Sequence, residues 1–96
     1  MAKYILLINW TEKGIAEAKD SANRANGSRA HAKQMGGDLE QIFLTMGPYD
    51  LVSVLEMPND EAAAEYVLKE AANGAIRITT LKAFDEATYR KIVGSM

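Results

Sequence analysis

The order of apolar runs and turn signals predicts an α+β fold with the succession β-α-β-β-α-β and one further helix at the end. Three observations carry this. A strand-like apolar run, Tyr4 to Ile8, stands near the start of the chain, and two long apolar stretches in mid-chain are separated only by Gly47-Pro48. Each half of the chain also contains an alanine-rich segment free of proline inside it, which reads as a helix. A length of 96 residues is in the usual range for one core, so a single domain spanning residues 1–96 is expected.

Tyr4-Ile5-Leu6-Leu7-Ile8 is rich in β-formers and is closed by Asn9-Trp10-Thr11, giving the first strand. Asp20-Ser21 is placed to cap a helix that runs to Met35, and Ala22, Ala25, Arg29 and Ala32 recur at spacings of three and four that share one helical face. Gly27 weakens this helix by about 1 kcal/mol relative to alanine. Gly36-Gly37 stops it. Leu39 to Met46 and Tyr49 to Met57 are the second and third strands, antiparallel across the Gly47-Pro48 turn. Pro58-Asn59-Asp60 opens a second helix through Ala72, with Asn59 or Asp60 as its cap, and Asn73-Gly74 ends it. Ile76 to Ala83 is the fourth strand. Asp85 to Val93 is a last helix, acidic at its start and basic toward its end. This is the split-βαβ, ferredoxin-like order, in which two helices cover one face of a four-stranded antiparallel sheet.

Composition narrows the function classes. Hydrophobic residues make up 48% and charged residues 25%, the make-up of a folded globular protein rather than a disordered one. The absence of cysteine removes disulfides, thiolate nucleophiles and cysteine-based metal sites, and suits a reducing cytoplasm. A net charge of −2 with no dense Lys/Arg block argues against nucleic acid as a partner. The first apolar run is too short for a signal-peptide core or a membrane span.

Strand alternation divides the sheet residues between two faces. The expected helix-side set is Leu6, Ile8, Ile42, Leu44, Val52, Val54, Ile76 and Ile78. The opposite set is Ile5, Leu7, Asn9, Gln41, Phe43, Thr45, Leu51, Ser53, Leu55, Arg77, Thr79 and Leu81. The second set is too apolar for a solvated face, so it needs a cover. Face-to-face packing of two sheets in a homodimer or larger homo-oligomer, with a barrel-like interior, would supply it. The alternative is the terminal helix folding back over the face.

Four blocks then carry a resemblance: Asn9-Trp10-Thr11 with Gly14, Gly36-Gly37, Met46-Gly47-Pro48-Tyr49-Asp50, and Arg77-Ile78-Thr79-Thr80-Leu81-Lys82-Ala83-Phe84. Over nearly its whole length the chain resembles the bacterial GYD domain family, named for its Gly, Tyr, Asp signature. The resemblance implies a dimeric α/β-barrel-like protein and supplies no catalytic mechanism. A similar Gly-x-Tyr-Asp turn occurs in the ligand-binding domains of leucine-responsive regulators, which share this type of fold.

Candidate ligand-binding residues follow from the away-facing set and the turn. Asn9, Thr45, Ser53, Arg77 and Thr79 place a few polar groups among apolar walls, the make-up of a small-molecule cavity. Arg77 would hold an anionic group there, or else pair with Glu56 or Asp50 of a partner subunit. Tyr49 and Asp50 would line the cavity mouth; the competing reading makes them parts of the turn. Trp10 is expected to be a packing anchor. His31 is the only histidine. Without cysteine no metal site is expected, and a haem-ligand role for His31 would follow only by analogy with some dimeric barrels. No cofactor can be named. The function expected is a small-molecule-binding or sensor module with its pocket in the oligomer interior. The alternatives are a monooxygenase-like dimeric-barrel enzyme, cofactor-free or haem-dependent, and a purely structural assembly domain.

Overall fold

The computed structural model describes residues 1–96. Strand β1 (Ala2–Trp10) is followed by a short helix α1 (Glu12–Ala16), a 3-10 turn at Ala18–Asp20 and helix α2 (Ser21–Gln34). Strands β2 (Asp38–Leu44) and β3 (Leu51–Met57), helix α3 (Asp60–Ala71), strand β4 (Ile76–Ala83) and helix α4 (Glu86–Gly94) complete the chain. The strands form one antiparallel sheet in the order β2-β3-β1-β4. This is the βαββαβ, ferredoxin-like α+β architecture expected from the sequence.

Central position explains why β1 is longer than its apolar run: it pairs with β3 on one side and β4 on the other, so Ala2, Lys3, Asn9 and Trp10 are drawn into the ladder. Helices α2 and α3 cover one face. Tyr4, Leu6, Leu39, Leu55 and Met57 from the sheet meet Ala32, Ala63 and Tyr66 from the helices in the buried core. Three helix starts carry side-chain caps: Thr11 on α1, Asn59 on α3 and Asp85 on α4 each accept a hydrogen bond from a backbone N–H of the first turn. Asp20 precedes α2 as expected but makes no such bond; its carboxylate accepts instead from Asn23 Nδ2 at 3.0 Å.

The structure corrects three expectations. First, β2 ends at Leu44 and β3 begins at Leu51, so the connection is a six-residue loop, Thr45 to Asp50. Tyr49 leaves the strand because Thr45 Oγ1 donates to its carbonyl at 2.6 Å and the Thr45 N–H donates to the Asp50 carbonyl at 2.9 Å, tying the loop to itself. Second, the inward stripe of α2 contains Ala25, Ser28, His31 and Ala32, whereas Ala22 and Arg29 of the expected face are exposed.

Third, the face assignment for β3 is reversed. Ser53 stands directly opposite Leu6, and Leu55 opposite Tyr4, so Leu51, Ser53 and Leu55 face the helices while Val52 and Val54 join the open face. The physical reason is volume. Leu51, Leu55 and Met57 fill the space beneath the helices better than two valines, and a serine hydroxyl is the cost of keeping that parity. The assignments for β1, β2 and β4 agree with the pairing. A bulge between Leu39 and Gln41 resets β2 so that Leu39 and Ile42 share the helix side.

The open face remains uncovered within the chain, because α4 buries none of its residues and Phe43 is 50% and Leu81 46% exposed. The expected alternative of a covering terminal helix is therefore not what forms. Gly47, in the loop, has φ of +126°, a region that L side chains resist. Gly47→Val is expected to lower stability by about 1–3 kcal/mol, read from the urea midpoint, since nothing else crowds the position and backbone strain is the whole effect.

Candidate functional site

Between sheet and helices lies a cavity of about 260 Å³. Its floor is made by Leu6, Ile8, Leu51, Ser53, Ile76 and Ile78, all on the helix side of the sheet. Its roof comes from Arg24, Ala25 and Ser28 of α2 with Tyr66 and Glu70 of α3. The local sequence explains the space: α2 presents Ala25, Gly27 and Ser28 where larger side chains would have reached the sheet. Leu39, Ala32 and Met57 close the core at the far end, whereas Ile76 and Ile78 stay half-buried at the cavity wall.

A polar network joins the two roof helices. The Ser28 hydroxyl contacts both the Arg24 carbonyl, at 3.0 Å, and Glu70 Oε1, and Tyr66 Oη donates to the Ser28 carbonyl at 3.0 Å. Glu70 Oε2 meets His31 Nδ1 at 2.7 Å, and the His31 ring stacks on Tyr66 with centroids 4.8 Å apart. Burial, reinforced by the Glu70 charge, pushes the Tyr66 phenol upward and keeps it a hydrogen-bond donor. Arg24 is held at the rim by Glu17 at 3.3 Å and by the Gly14 carbonyl at 3.5 Å.

The expected site residues do not gather in one place. Ser53 lines the cavity on the helix side, which corrects its expected position on the opposite face. Asn9, Arg77 and Thr79 lie on the open face as expected, with Asn9 directly opposite Arg77 across β1 and β4. Thr45, Tyr49 and Asp50 belong to the loop. Asp50 is fully engaged there: its N–H donates to the Ile8 carbonyl at 2.9 Å and its Oδ2 accepts from the Trp10 N–H at 3.0 Å, so it extends the β1–β3 ladder with its own side chain. Glu56 pairs with Lys3 at 3.6 Å, at the end of the open face away from Arg77. Trp10 contributes to the cavity wall.

His31 is outside the cavity lining, and its Nδ1 meets Glu70 Oε2. No three His, Asp or Glu side chains cluster as a metal site. Sequence reasoning missed Arg24, Ser28, Tyr66 and Glu70. The signal was present as two i, i+4 pairs, Arg24 with Ser28 and Tyr66 with Glu70, polar groups on helix faces that turn inward. Recognising them required the true stripe of α2.

A second buried polar group sits at the other end of the sheet. Tyr4 Oη donates to Asp60 Oδ1, which also receives Lys82 Nζ at 2.8 Å. Burial, with the hydrogen bond to Asp60, pushes the Tyr4 phenol up to about 12. The hydrogen bonds from Lys82 and Tyr4 hold the Asp60 carboxyl below its ordinary range. Because the folded value of Tyr4 is raised, its stabilisation is complete below the ordinary tyrosine value of 10.0 and is lost as pH rises toward 12. Asp60 acts with the opposite sign, adding stability above the ordinary carboxylate range that fades as pH falls through its lowered value. Tyr4→Phe is expected to lower the neutral plateau of a Tm-against-pH profile, where the hydrogen bond to Asp60 is lost, and to flatten its alkaline limb.

These features define the class: a ferredoxin-like domain whose helix layer leaves a small, mainly apolar cavity over the sheet. The chain belongs to the GYD domain family, whose pattern matches residues 4–93. No curated protein matches it by sequence. Among solved structures it is similar to MtbAldR, with a TM-score of 0.70 and 10% identity over 88% of this chain and 52% of that one, so it spans about half of MtbAldR. It is also similar to TTHA0845 from Thermus thermophilus, with a TM-score of 0.56 and 21% identity over 88% of this chain and 95% of that one. The de novo designed protein Ferredog-Diesel matches with a TM-score of 0.51 and 8% identity over 85% of each chain. At these identities the likeness concerns the fold. No helix is long and apolar enough to cross a membrane.

Proposed function

We propose that the protein is a small-molecule-binding or sensor module of a reducing, cytoplasmic compartment that works as a homo-oligomer. Its pocket is the cavity between sheet and helices rather than the oligomer interior. The observation that carries this reading is the cavity itself, an apolar floor beneath a roof holding a carboxylate and a hydroxyl.

The open sheet face supports the oligomer. Its central rows, Gln41-Val54-Ile5-Leu81 and Phe43-Val52-Leu7-Thr79, are each apolar over three strands and polar only at one edge strand. Asp38, Glu56 and Lys3 border one end, and Asn9 and Arg77 the other. A belt of this kind, polar only at its rims, is the pattern of a packed sheet–sheet interface. Arg77 and Thr79 are then contacts toward a second copy.

Native mass spectrometry of gently purified protein is expected to show a small-molecule adduct. Ala25→Phe, which projects a ring from α2 into the cavity, should abolish it, whereas Arg77→Ala should leave it intact. The reverse pattern would move the ligand to the open face. A bare chain mass, together with no thermal stabilisation by any member of a fragment set, would sink the binding role.

A further inference from the structure

Ser53 is the one polar side chain in the cavity floor, and it is 2% exposed. Its hydroxyl has no partner among the side-chain hydrogen bonds of the chain, yet no fully enclosed side-chain polar atom of the protein lacks a partner. Its oxygen therefore opens on the cavity. Burying a hydroxyl without a partner is costly, and an alanine would fill the same space without that cost. Across the cavity the Glu70 side chain is 17% exposed, and each of its oxygens already accepts one hydrogen bond, from Ser28 and at His31. The two nearby cations are turned to other carboxylates, Arg24 to Glu17 and Lys69 to Glu65. Arg24, Lys69 and Glu70 all line the cavity, so its charged groups are of mixed sign and leave the Ser53 hydroxyl as the group that reads a ligand.

Size sets the third constraint. An apolar cavity of roughly 150 Å³ accepts benzene, so 260 Å³ suits a ring system of roughly ten non-hydrogen atoms.

We propose that the cavity selects a mainly apolar ring compound of about indole size and that its single polar group is hydrogen-bonded by the Ser53 hydroxyl. This rests on the cavity being the binding site, and it names the ligand chemistry and the residue that reads it. A hydroxyl, amine or ring N–H satisfies Ser53 equally, because a serine oxygen both donates and accepts.

The test uses two probes of similar shape: indole and its isostere indene, which lacks the N–H. Binding is followed through the methyl NMR signals of Ile8, Leu51 and Ile78 in the intact protein. Indole is expected to bind about five- to tenfold more tightly than indene, the discrimination one neutral hydrogen bond supplies. Ser53→Ala should erase the preference for indole over indene while indene affinity is kept. If no probe moves the methyl signals, the cavity reading fails, and this inference with it. If indole and indene bind equally, or the preference survives Ser53→Ala, the role of the hydroxyl alone is overturned.

Discussion

Phe43→Asp is expected to convert the proposed oligomer into single folded chains at micromolar concentration. Phe43 sits in the apolar belt of the open face, opposite Val52, and half of its surface is exposed in the single chain. Burying that half contributes about 1 kcal/mol, and an unpaired carboxylate in the same place costs about 2 kcal/mol more at the low end. In a two-fold interface both copies carry the change, so the dissociation constant should rise by on the order of ten-thousandfold. Because Phe43 contributes little to the core of one chain, far-UV circular dichroism should be unchanged. Sedimentation velocity reads the mass directly, and a wild-type protein that is monomeric at this concentration would remove the premise.

Gly14→Ala should be a strongly destabilising single-methyl change. The Cβ it adds would stand 2.0 Å from the Ala75 carbonyl oxygen and 3.1 Å from the Trp10 ring. That carbonyl is itself fixed, accepting the Thr11 N–H at 3.0 Å, so neither side can yield without breaking the junction of α1 with the start of β4. Overpacking against backbone of this kind costs about 3 kcal/mol or more. Gly27 is the control. Nothing lies within 4 Å of its added Cβ, and it is inside α2, so Gly27→Ala should stabilise by about 0.5–1 kcal/mol. Urea midpoints for the two variants should therefore move in opposite directions, and equal shifts would mean that the α1 junction can relax.

Most of the architecture was legible because its signals are local. The strand of Ile76 to Ala83 matches β4 residue for residue, and Asn59 and Asp85 cap the helices that their side chains announce. The site was less legible. Strand alternation places Asn9, Arg77 and Thr79 correctly and fails for Ser53, because a run such as Leu51-Val52-Ser53-Val54-Leu55 offers large apolar side chains on both parities and its alternation has no local sign. Likewise the alanines of α2 are so frequent that periodicity could be drawn through Ala22 and Arg29 as easily as through Ser28 and His31.

The sequence by itself therefore determined the order and kind of the elements, the GYD membership and the apolar character of a sheet face that the helices cannot reach. These depend on composition and on contacts between near neighbours. Only the tertiary structure decided which way β3 faces, since that follows from pairing Ser53 with Leu6, far apart along the chain. The same holds for Glu70, which gains its meaning only when α3 lies against α2 and brings Ser28 and His31 to its two oxygens. A cavity is space that side chains fail to fill, and space of that kind is a property of how elements pack rather than of any residue in the chain.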